Sequence, residues 1–226
     1  LRRHIVFEND THAFTISLWI TGTYLMDNWG LYPKLYINSP ERECGKTSLL
    51  CMIEAFACNA RMAASITPSA FYRIIQSEGP TLLIDEADRT LRGNEELNGI
   101  INAGHTRRTA IKILSEPTPD GKWKSVEMSL WAPQVFAGIG TQADTLLSRS
   151  IKISMRRKMV SEKVAAAPVD YFEQQEDVRK SIKSWANQEG KSVAALDVSI
   201  PGIASDRALD NWKPLFQIAA SLKDDW

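Results

Sequence analysis

The sequence predicts an α/β fold in which helices cover both faces of a largely parallel β-sheet, giving three layers. Through the middle of the chain, short β-rich runs alternate with segments whose apolar residues recur at helical spacing. The run "TLLIDEAD" (Thr81–Asp88) is apolar up to its closing acids, which is typical of a parallel strand buried on both faces. At 226 residues, with 44% hydrophobic and 24% charged residues, the chain is a globular protein that can bury a substantial core.

The first predicted element is a helix. The stretch Ala13–Met26 is apolar but contains Thr and Ser, is followed by Asp27 and is too short to span a bilayer, which indicates a buried helix. Lys34–Asn38 is a short β-rich run, and Lys46–Met62 then has apolar residues at helical spacing, so this region reads as strand, loop and helix. Pro68–Gly79 predicts the next helix, because proline suits a first helical turn and glycine a helix end.

The remaining elements complete the alternation and then become purely helical. The turn-rich segment Pro117–Gly121 predicts the tip of a hairpin between Arg108 and Trp131. The other predicted elements are a strand within Thr81–Asp88, a helix at Asn94–Gly104, strands at Gln134–Gly140 and Ser150–Met155, and helices at Tyr171–Glu189 and Asp206–Leu222. We therefore divide the chain into an N-terminal helical approach segment (1–33), an α/β core (34–158) and a helical C-terminal subdomain (159–226).

Charge and cysteine content limit the kinds of binding site that the sequence can form. Basic and acidic residues number 27 each, so no global field draws the chain toward nucleic acid, and such binding requires a local patch. Cys44, Cys51 and Cys58 lie far from the histidines in sequence, which favours core thiols of a reduced cytosolic protein over a metal site. We expect a cytoplasmic protein without a membrane partner, and the initial Leu1 suggests a piece of a longer polypeptide.

A candidate phosphate-binding loop follows the first predicted strand. The segment "SPERECGKT" (Ser39–Thr47) ends as the G-x-x-x-x-G-K-[ST] motif does, in which backbone N–H groups and the lysine bind phosphates and the hydroxyl binds magnesium. Pro40 stands where the first glycine is expected, and two glutamates place negative charge beside the anion. The loop alone is therefore either a phosphate loop without its first glycine or an acidic turn that ends in Gly-Lys-Thr. The nucleotide-binding candidates are Pro40, Glu41, Arg42, Glu43, Cys44, Gly45, Lys46, Thr47 and Ser48.

Two acids in a later strand favour the first alternative. Asp85 and Glu86 close the apolar strand, at the position where phosphoryl transfer needs one acid that organises magnesium and another that activates water. A strand that ends in solvated acids is common by itself. Its combination with the loop predicts a nucleotide site.

These motifs resemble those of AAA+ type P-loop ATPases. The segment "SPERECGKTSLL" is similar to Walker A, "TLLIDEAD" to Walker B, and "VFAGIGTQADTLLSRSIKI" to a sensor-1 strand followed by an arginine-finger segment. More narrowly, "ELNGIINAGHTRR", "TLLSRSIKISMRRK" and "ALDNWKPL" are similar to an uncharacterised domain family of phage, plasmid and integrative-element proteins, in which Pro in place of the first Gly is normal. The resemblance implies an inserted β-hairpin, a small C-terminal helical lid, ATP and Mg²⁺ as cofactors, and a fused or associated primase-type domain.

Carried over to matching positions, the resemblance implies roles in hydrolysis. Lys46 would contact the β and γ phosphates, Thr47 and Asp85 would hold magnesium, and Glu86 would orient and deprotonate the attacking water. Phosphoryl transfer requires these residue types: a cation for the phosphates, oxygen ligands for magnesium and a carboxylate for the water.

The resemblance also implies residues that act across subunits and from the lid. Arg149 would be an arginine finger in the neighbouring subunit's site, which requires a homo-oligomer such as a hexameric ring; an ordinary surface ion pair, or a finger at Arg156 or Arg157, is the alternative. Sensor 1 would be Thr141 or Gln142.

Three further residues match the family pattern with less defined roles. Arg207 resembles a sensor-2 arginine that reaches the γ-phosphate from the lid, and an ion pair with Asp206 or Asp210 is the alternative. Asn102 and His105 also match, but a capped helix end beside a loop histidine explains them equally well.

The predicted hairpin lies where related helicases insert a hairpin that touches DNA in a central pore. Lys122, Trp123 and Lys124 near its tip are suited to phosphate contact and base stacking with single-stranded DNA, and a solvated hairpin is the alternative. Two functions follow. The first is a Mg-dependent ATPase that drives a primase-associated DNA helicase or translocase of a mobile genetic element. The second is a nucleotide-gated assembly or regulatory ATPase that does not move along DNA.

Overall fold

The computed structural model describes residues 1–168, 170–203 and 205–222. Its larger sheet has five parallel strands in the order β2-β3-β6-β1-β7, and a separate antiparallel sheet contains β4 and β5. The strands are β1 (Lys34–Ser39), β2 (Ala60–Ala63), β3 (Thr81–Ile84), β4 (Ile111–Pro117), β5 (Trp123–Ser129), β6 (Gln134–Ile139) and β7 (Ser150–Ser154). The predicted α/β class with a parallel sheet is thus confirmed.

The helices alternate with the strands and then close the chain. They are α1 (Asp10–Gly22), α2 (Lys46–Phe56), α3 (Pro68–Glu78), α4 (Ala87–Thr90), α5 (Glu95–Ala103), α6 (Asp144–Leu147), α7 (Tyr171–Gln174), α8 (Glu176–Ala194) and α9 (Asp206–Ser221). Local signals explain several ends. The Asn9 side chain accepts from the Thr11 amide at the start of α1, Thr67 caps α3 ahead of Pro68, and Gly79 ends α3 in the left-handed conformation.

The strand order decides which residues meet. Because β6 lies between β1 and β3 and all five strands are parallel, the carboxyl ends of these three strands lie at one edge of the sheet. The register pairs Tyr36 with Phe136 and Ile84 with Phe136, which aligns the three strands across the sheet. We call this the carboxyl edge and the opposite one the amino edge.

Two hydrophobic cores, one on each face of the sheet, confirm three layers. Leu35 and Ile37 of β1 pack in one core with Leu50 of α2 and Trp19 of α1. Between them in sequence, Tyr36 points into the other core, which contains side chains of α3 and α5. This alternation follows from the pleat of a strand that is covered on both faces.

The helices of the C-terminal segment share the first of these cores. Leu215 and Ile218 of α9 and Val193 of α8 are buried with α1 and the sheet. Trp29 donates its indole N–H to the Gln217 side chain at 2.8 Å, which joins the start of the chain to α9. The division into three segments stays a prediction, and these described helices depend on the N-terminal segment for their burial.

The structure corrects one predicted element. The helix expected over Lys46–Met62 ends at Phe56, and Ala60–Ala63 forms β2 at the edge of the sheet. Asn59, at φ 46, turns the chain between them. The apolar spacing continues past the helix end, but backbone pairing with Thr81–Ile84 holds the segment as a strand.

The cysteines differ from the prediction. Cys44 is buried, but Cys51 is exposed and Cys58 is half-buried, so the three are not all core thiols. Burial raises the pKa of the Cys51 and Cys58 thiols; neighbouring acids raise that of Cys51 further, whereas the charge of Lys183 opposes the shift at Cys58. Among the described helices, none combines the length and apolar character needed to cross a bilayer.

A candidate phosphate cleft and a basic pocket at the opposite edge

The Gly-Lys-Thr segment lies at the carboxyl edge, between β1 and the first turn of α2. Gly45 is the N-terminal cap residue of α2 at φ 81, a left-handed conformation that glycine adopts without strain. Within the described residues, no side chain caps this helix end. The first amide groups of α2 therefore point outward as donors, where the helix dipole also favours an anion.

The Lys46 ammonium is held over the loop. Its Nζ donates to Ser39 Oγ at 2.6 Å and to the Glu41 carbonyl at 3.4 Å. Because the acceptors are a hydroxyl and a carbonyl oxygen rather than a carboxylate, these bonds position the Lys46 ammonium without neutralising its charge.

Thr47 and Asp85 meet at the carboxyl edge although they lie in different elements. Thr47 Oγ1 donates to Asp85 Oδ2 at 2.8 Å, and the Glu86 amide donates to Asp85 Oδ1 at 2.8 Å. A hydroxyl and a carboxylate at this distance supply the oxygen ligands that magnesium prefers, with positions left for water and phosphate. In the described part of the chain there is no cluster of three or more His, Cys, Asp or Glu that could hold a metal ion.

Glu86 follows Asp85 in a left-handed conformation with φ 47, which is uncommon for a residue with a side chain. Its carboxylate accepts from Arg89 NH1 at 2.9 Å across one turn of α4. The side chain is more than half exposed. It therefore borders the cleft and can exchange this ion pair for a water contact.

These residues line one open cleft of about 630 Å³. Lys46, Thr47, Asp85 and Glu86 share it with two further acids and three arginines of neighbouring elements. The complete lining is Arg42, Glu43, Lys46, Thr47, Asp85, Glu86, Asp88, Arg89, Arg92, Gly138 and Ile139. We call it the phosphate cleft.

The sensor-1 candidates lie beside this cleft and do not line it. Thr141 is an exposed residue past the end of β6. Burial raises the pKa of Tyr36, whereas a hydrogen bond with Gln142 lowers it, which places Gln142 against the Tyr36 hydroxyl. That hydroxyl donates to the Gly140 carbonyl at 3.0 Å. The described contacts thus give Gln142 a neighbour and leave Thr141 solvated.

Arg157 pairs with both glutamates of the loop and offsets part of their negative charge. Its guanidinium lies 3.7 Å from Glu41 Oε1 and 3.1 Å from Glu43 Oε2, and it also donates to the Arg42 carbonyl. Glu43 adopts a left-handed conformation at φ 61. The two glutamates that depart from the motif are therefore paired with an arginine behind the loop.

A second, smaller cavity of about 200 Å³ lies on the other side of the loop, between it and the chain start. Its walls include Ile5, Cys44, Met155 and Val164. A backbone hydrogen bond links the two segments that form this wall: the Ala165 amide donates to the Arg3 carbonyl at 3.0 Å.

An ion pair supports the same wall. Arg156 holds Glu162 through both guanidinium nitrogens, at 2.7 and 2.5 Å. Hydrogen bonds from Arg156 and from the Met159 amide lower the pKa of Glu162 to about 2. The finger alternatives Arg156 and Arg157 thus both have carboxylate partners within the chain.

Arg149 differs from them. It precedes β7 at the amino edge, and its NH1 donates to the Thr145 carbonyl at 2.7 Å. Burial and the charge of Arg207 lower the pKa of Arg149, and no carboxylate in the described part of the chain offsets them. Arg149 is thus a cation without an ion-pair partner in this region.

Arg207 lies with Arg149 and away from Lys46. Its NH1 donates to Ser148 Oγ at 3.2 Å, beside the amino end of β7. Arg207 does not line the phosphate cleft, where Lys46 lies, and its predicted sensor-2 contact with the γ-phosphate stays a prediction. The predicted ion pairs with Asp206 and Asp210 are also absent within 4 Å among the described contacts, although Asp210 lines the same pocket.

A pocket of about 510 Å³ contains both arginines. Its lining also includes Asn102 and His105, whose roles the sequence leaves open. His105 Nε2 contacts Asn211 Oδ1 at 2.8 Å, and Asn211 Nδ2 donates to the Ser148 carbonyl. Since the Asn211 oxygen is the acceptor, His105 Nε2 carries the proton.

Two buried basic groups, Lys34 and His105, lie close to the more exposed Arg149 and Arg207. Burial lowers the pKa of His105 to about 4, and the charges of Lys34, Arg149 and Arg207 contribute to that shift. Burial and the charge of Arg149 lower the pKa of Lys34 to about 7. We call the group Lys34, His105, Arg149 and Arg207 the basic pocket.

The outward face of the hairpin carries exposed apolar side chains among polar ones. Ile113 is 66% exposed and Trp123 is 72% exposed, and in the antiparallel register both belong to the face that points away from α3. Lys112 on the inner face bonds Glu96 at 2.5 Å and fixes the hairpin to α5. Lys122 and Lys124 are exposed near Trp123, and Lys122 pairs with Asp120 at 3.4 Å.

Sequence reasoning missed several residues at or beside the phosphate cleft and the basic pocket. Arg89 could have been found from its i,i+3 spacing to Glu86. Ser39 and Lys34, at the two ends of β1, carried no signal, since a polar residue at a strand end is ordinary. Their positions follow from the tertiary fold.

Comparisons with known proteins give limited matches. A family model described as a protein of unknown function (DUF3631) matches residues 154–226, in agreement with the predicted likeness to an uncharacterised domain family over this part of the chain. No curated protein sequence matches the chain. The AAA+ resemblance stays a prediction.

Two solved structures show a distant similarity. "The A form apo structure of NrS-1 C terminal region-CTR" is 15% identical with a TM-score of 0.36, covering 92% of this chain and 49% of that one. A second structure of the same region, titled CTR(305-718), is 12% identical with a TM-score of 0.33, covering 92% and 48%. This chain spans about half the length of the solved chains it matches.

Proposed function

We propose that this chain is a magnesium-dependent ATPase whose phosphate cleft binds and hydrolyses the nucleotide. One observation carries the proposal: Thr47 and Asp85, distant in sequence, are bonded at 2.8 Å directly beside a lysine at an uncapped helix N-terminus. A helix end and an ammonium suit phosphate oxygens, and the hydroxyl and carboxylate suit the cation that accompanies them.

The residues of the phosphate cleft fit both the phosphates of a nucleotide and a magnesium ion. Gly45 leaves the approach to the helix end open, since a Cβ built on it would meet only Met155, at 3.7 Å. Lys46 would exchange Ser39 for phosphate oxygens, and Thr47 with Asp85 would hold the cation. Magnesium in such a site offsets negative charge on the phosphates as a Lewis acid.

Glu86 is the proposed general base. Its carboxylate is exposed at the cleft and held by Arg89, so orienting a water requires that it leave this ion pair. The smaller apolar cavity beside Cys44 is the proposed place for the base of the nucleotide, since it adjoins the loop and is partly apolar. That position distinguishes a nucleotide from a bare phosphate ligand.

Arg149 is the proposed finger in a neighbouring subunit's site. The support is that Arg156 and Arg157 are paired within the chain, whereas Arg149 has no carboxylate partner among the described residues. A homo-oligomer, such as a hexameric ring, is part of this proposal.

The ATPase would drive a primase-associated DNA helicase or translocase of a mobile genetic element. The hairpin supports contact with single-stranded DNA, because Trp123 is exposed for stacking between Lys122 and Lys124. The second candidate is a nucleotide-gated assembly ATPase that does not move along DNA. The exposed Ile111 and Ile113 favour it, because an apolar sheet face is also typical of a protein contact.

Two variants test the hydrolytic proposal. Glu86→Gln should retain ATP affinity while turnover falls at least about a hundredfold, because general acid–base catalysis contributes on that order. Lys46→Ala should lose both binding and turnover. Equilibrium binding and steady-state hydrolysis measure the two effects, and turnover at the parent rate in Glu86→Gln would show that the base is another group.

A concentration series separates the two candidate functions. The ATPase rate per chain should rise with protein concentration and again with single-stranded DNA if the chain is a motor. A rate that depends on concentration and ignores DNA would favour the assembly ATPase. A rate independent of both would remove the role of Arg149 in trans.

A further inference from the structure

The loop Ser39–Thr47 carries two acids that oppose the binding of a highly charged anion. Glu41 and Glu43 flank Arg42, and with Lys46 they give the loop as many acidic as basic side chains. Because like charges repel, the two carboxylates lower the affinity of the phosphate cleft for an anion unless another group offsets them. An acidic loop in this position therefore needs a compensating cation.

We propose that Arg157 is a positioning residue of the phosphate cleft, which binds the two glutamates, offsets their charge and so allows a polyphosphate to bind the loop. Its guanidinium lies 3.7 Å from Glu41 Oε1 and 3.1 Å from Glu43 Oε2, and it donates to the Arg42 carbonyl at 3.3 Å. One side chain thus contacts three consecutive residues of the loop. The proposal rests on the proposed function, because the anion concerned is the one in the phosphate cleft.

The parallel pairing of β1 and β7 brings Arg157 to the loop. The last pair in their register is Asn38 with Ser154, and the Met155 amide donates to the Asn38 carbonyl at 2.8 Å. The two chains therefore leave the carboxyl edge side by side, one into the loop and the other toward Arg157. The sheet itself places the arginine beside the loop.

A neighbouring ion pair fixes the segment that carries Arg157. Arg156 binds Glu162 through both guanidinium nitrogens, and the Met159 amide donates to the same carboxylate at 2.7 Å. The chain after β7 is thus held in a turn by contacts that do not involve the loop. Arg157 acts on its own chain through the glutamates, which differs from a finger that touches the phosphate of a neighbour.

Arg42 benefits from the same arrangement. It lines the phosphate cleft, and among the described residues no carboxylate forms an ion pair with it. The glutamates on either side of Arg42 are bonded to Arg157 instead. The arginine of the loop therefore stays available to the phosphates.

The exposure of these side chains distinguishes a charge effect from a structural one. Arg157 is 51% exposed, Glu41 55% and Glu43 82%, so the ion pairs contribute little to the free energy of unfolding. Their charges nevertheless lie in the loop that binds the anion, and the interaction grows with the charge of the ligand. Replacing Arg157 should therefore change anion affinity more than stability.

Titration with inorganic pyrophosphate and magnesium measures this effect without turnover. Arg157→Ala should weaken pyrophosphate binding roughly threefold to thirtyfold, because both carboxylates of the loop lose their partner. The loss should shrink as the salt concentration rises from about 0.05 M to about 0.5 M, since exposed charges are screened. The thermal midpoint without ligand should change by less than about 2 °C.

Removing the two carboxylates should rescue the variant. In an Arg157→Ala background, Glu41→Gln and Glu43→Gln together should restore the pyrophosphate affinity of the parent, because no charge is left to offset. In the parent background the same two substitutions should raise the affinity above that of the parent, since Arg157 then adds an uncompensated charge. Arg157→Lys, which keeps the charge without the planar fork, should lose less affinity than Arg157→Ala.

Arg61→Ala is the matched control, because Arg61 is an exposed arginine that pairs with Glu78 away from the cleft, and it should leave pyrophosphate affinity unchanged. Unchanged affinity in Arg157→Ala, or an equal loss in Arg61→Ala, would overturn the proposal. A loss in Arg157→Ala that the two glutamine substitutions do not restore would overturn it as well.

The same titrations separate this proposal from the ATPase proposal. A parent chain that binds neither pyrophosphate nor ATP would overturn both. The expected order of affinities without ATP turnover would support the role of Arg157 and contradict hydrolysis alone.

Discussion

Lowering the pH from 7 to 5 should destabilise this protein through His105. The ring is 5% exposed, and burial lowers its pKa from 6.5 to about 4, with contributions from the charges of Lys34, Arg149 and Arg207. Because the folded chain keeps the ring neutral, only the unfolded chain takes up a proton as the pH falls below 6.5. This contribution to stability is complete above that pH and is lost progressively down to pH 4.

The magnitude follows from the two pKa values. With 6.5 in the unfolded chain and about 4 in the folded chain, linkage gives a loss of about 2 kcal/mol between pH 7 and pH 5. The hydrogen bond from His105 to Asn211 opposes the shift without cancelling it. A loss of this size is a large part of the stability of an ordinary domain.

The assay is urea unfolding of the parent and of His105→Gln at both pH values. The glutamine amide can donate to Asn211 in place of the ring and cannot be protonated in this range. The variant should therefore lose about 2 kcal/mol less than the parent between pH 7 and pH 5. Carboxylates, the other histidines and Lys34, whose pKa of about 7 lies in this range, titrate in both chains. The difference between the two chains is therefore assigned to His105, and equal losses would refute the reasoning.

Two further predictions concern the cleft and the hairpin. Gly45→Ala, at φ 81, should lower the free energy of unfolding by about 1–2 kcal/mol and abolish ATP binding. Gly79→Ala, at φ 56 with no neighbour within 4 Å, should lower the free energy of unfolding by a similar amount and leave ATP binding intact. Thermal unfolding and nucleotide-binding assays measure the two effects. Trp123→Ser should change stability by less than about 0.5 kcal/mol, because the side chain is 72% exposed, and should weaken single-stranded DNA binding about fivefold or more in fluorescence anisotropy. Unchanged DNA affinity would contradict the proposed stacking.

Much of the sheet could be predicted because its signals are local. The apolar run before Asp85 and the β-rich run before the phosphate loop each identify a strand and the polar residues at its end. Parallel pairing then brings those ends to one edge without further information. The cleft was predictable to the extent that its residues follow strands directly, as Lys46, Thr47 and Asp85 do.

Tertiary packing decided what the local patterns did not. β2 is short and alternates little in burial, so its apolar residues continued the helical pattern of α2 until pairing with β3 separated them. Arg207 begins a helix, as predicted, but the packing of α9 on α1 and β7 fixes the edge at which that helix begins. A resemblance can match Arg207 to a motif without showing at which edge of the sheet the residue lies.

The phosphate cleft and Arg149 lie at opposite edges of one parallel sheet, which limits how copies of the chain can be arranged if Arg149 acts on a neighbour's site. If Arg149 acts as the proposed finger on a nucleotide held by another copy, the amino edge of one chain must face the carboxyl edge of the next. Such a contact joins two different surfaces, so it cannot close as a two-fold dimer in which each patch meets itself. Repeated head to tail, it forms a ring or a filament. The proposed role of Arg149 in a neighbouring subunit's site therefore predicts a head-to-tail oligomer rather than a two-fold dimer.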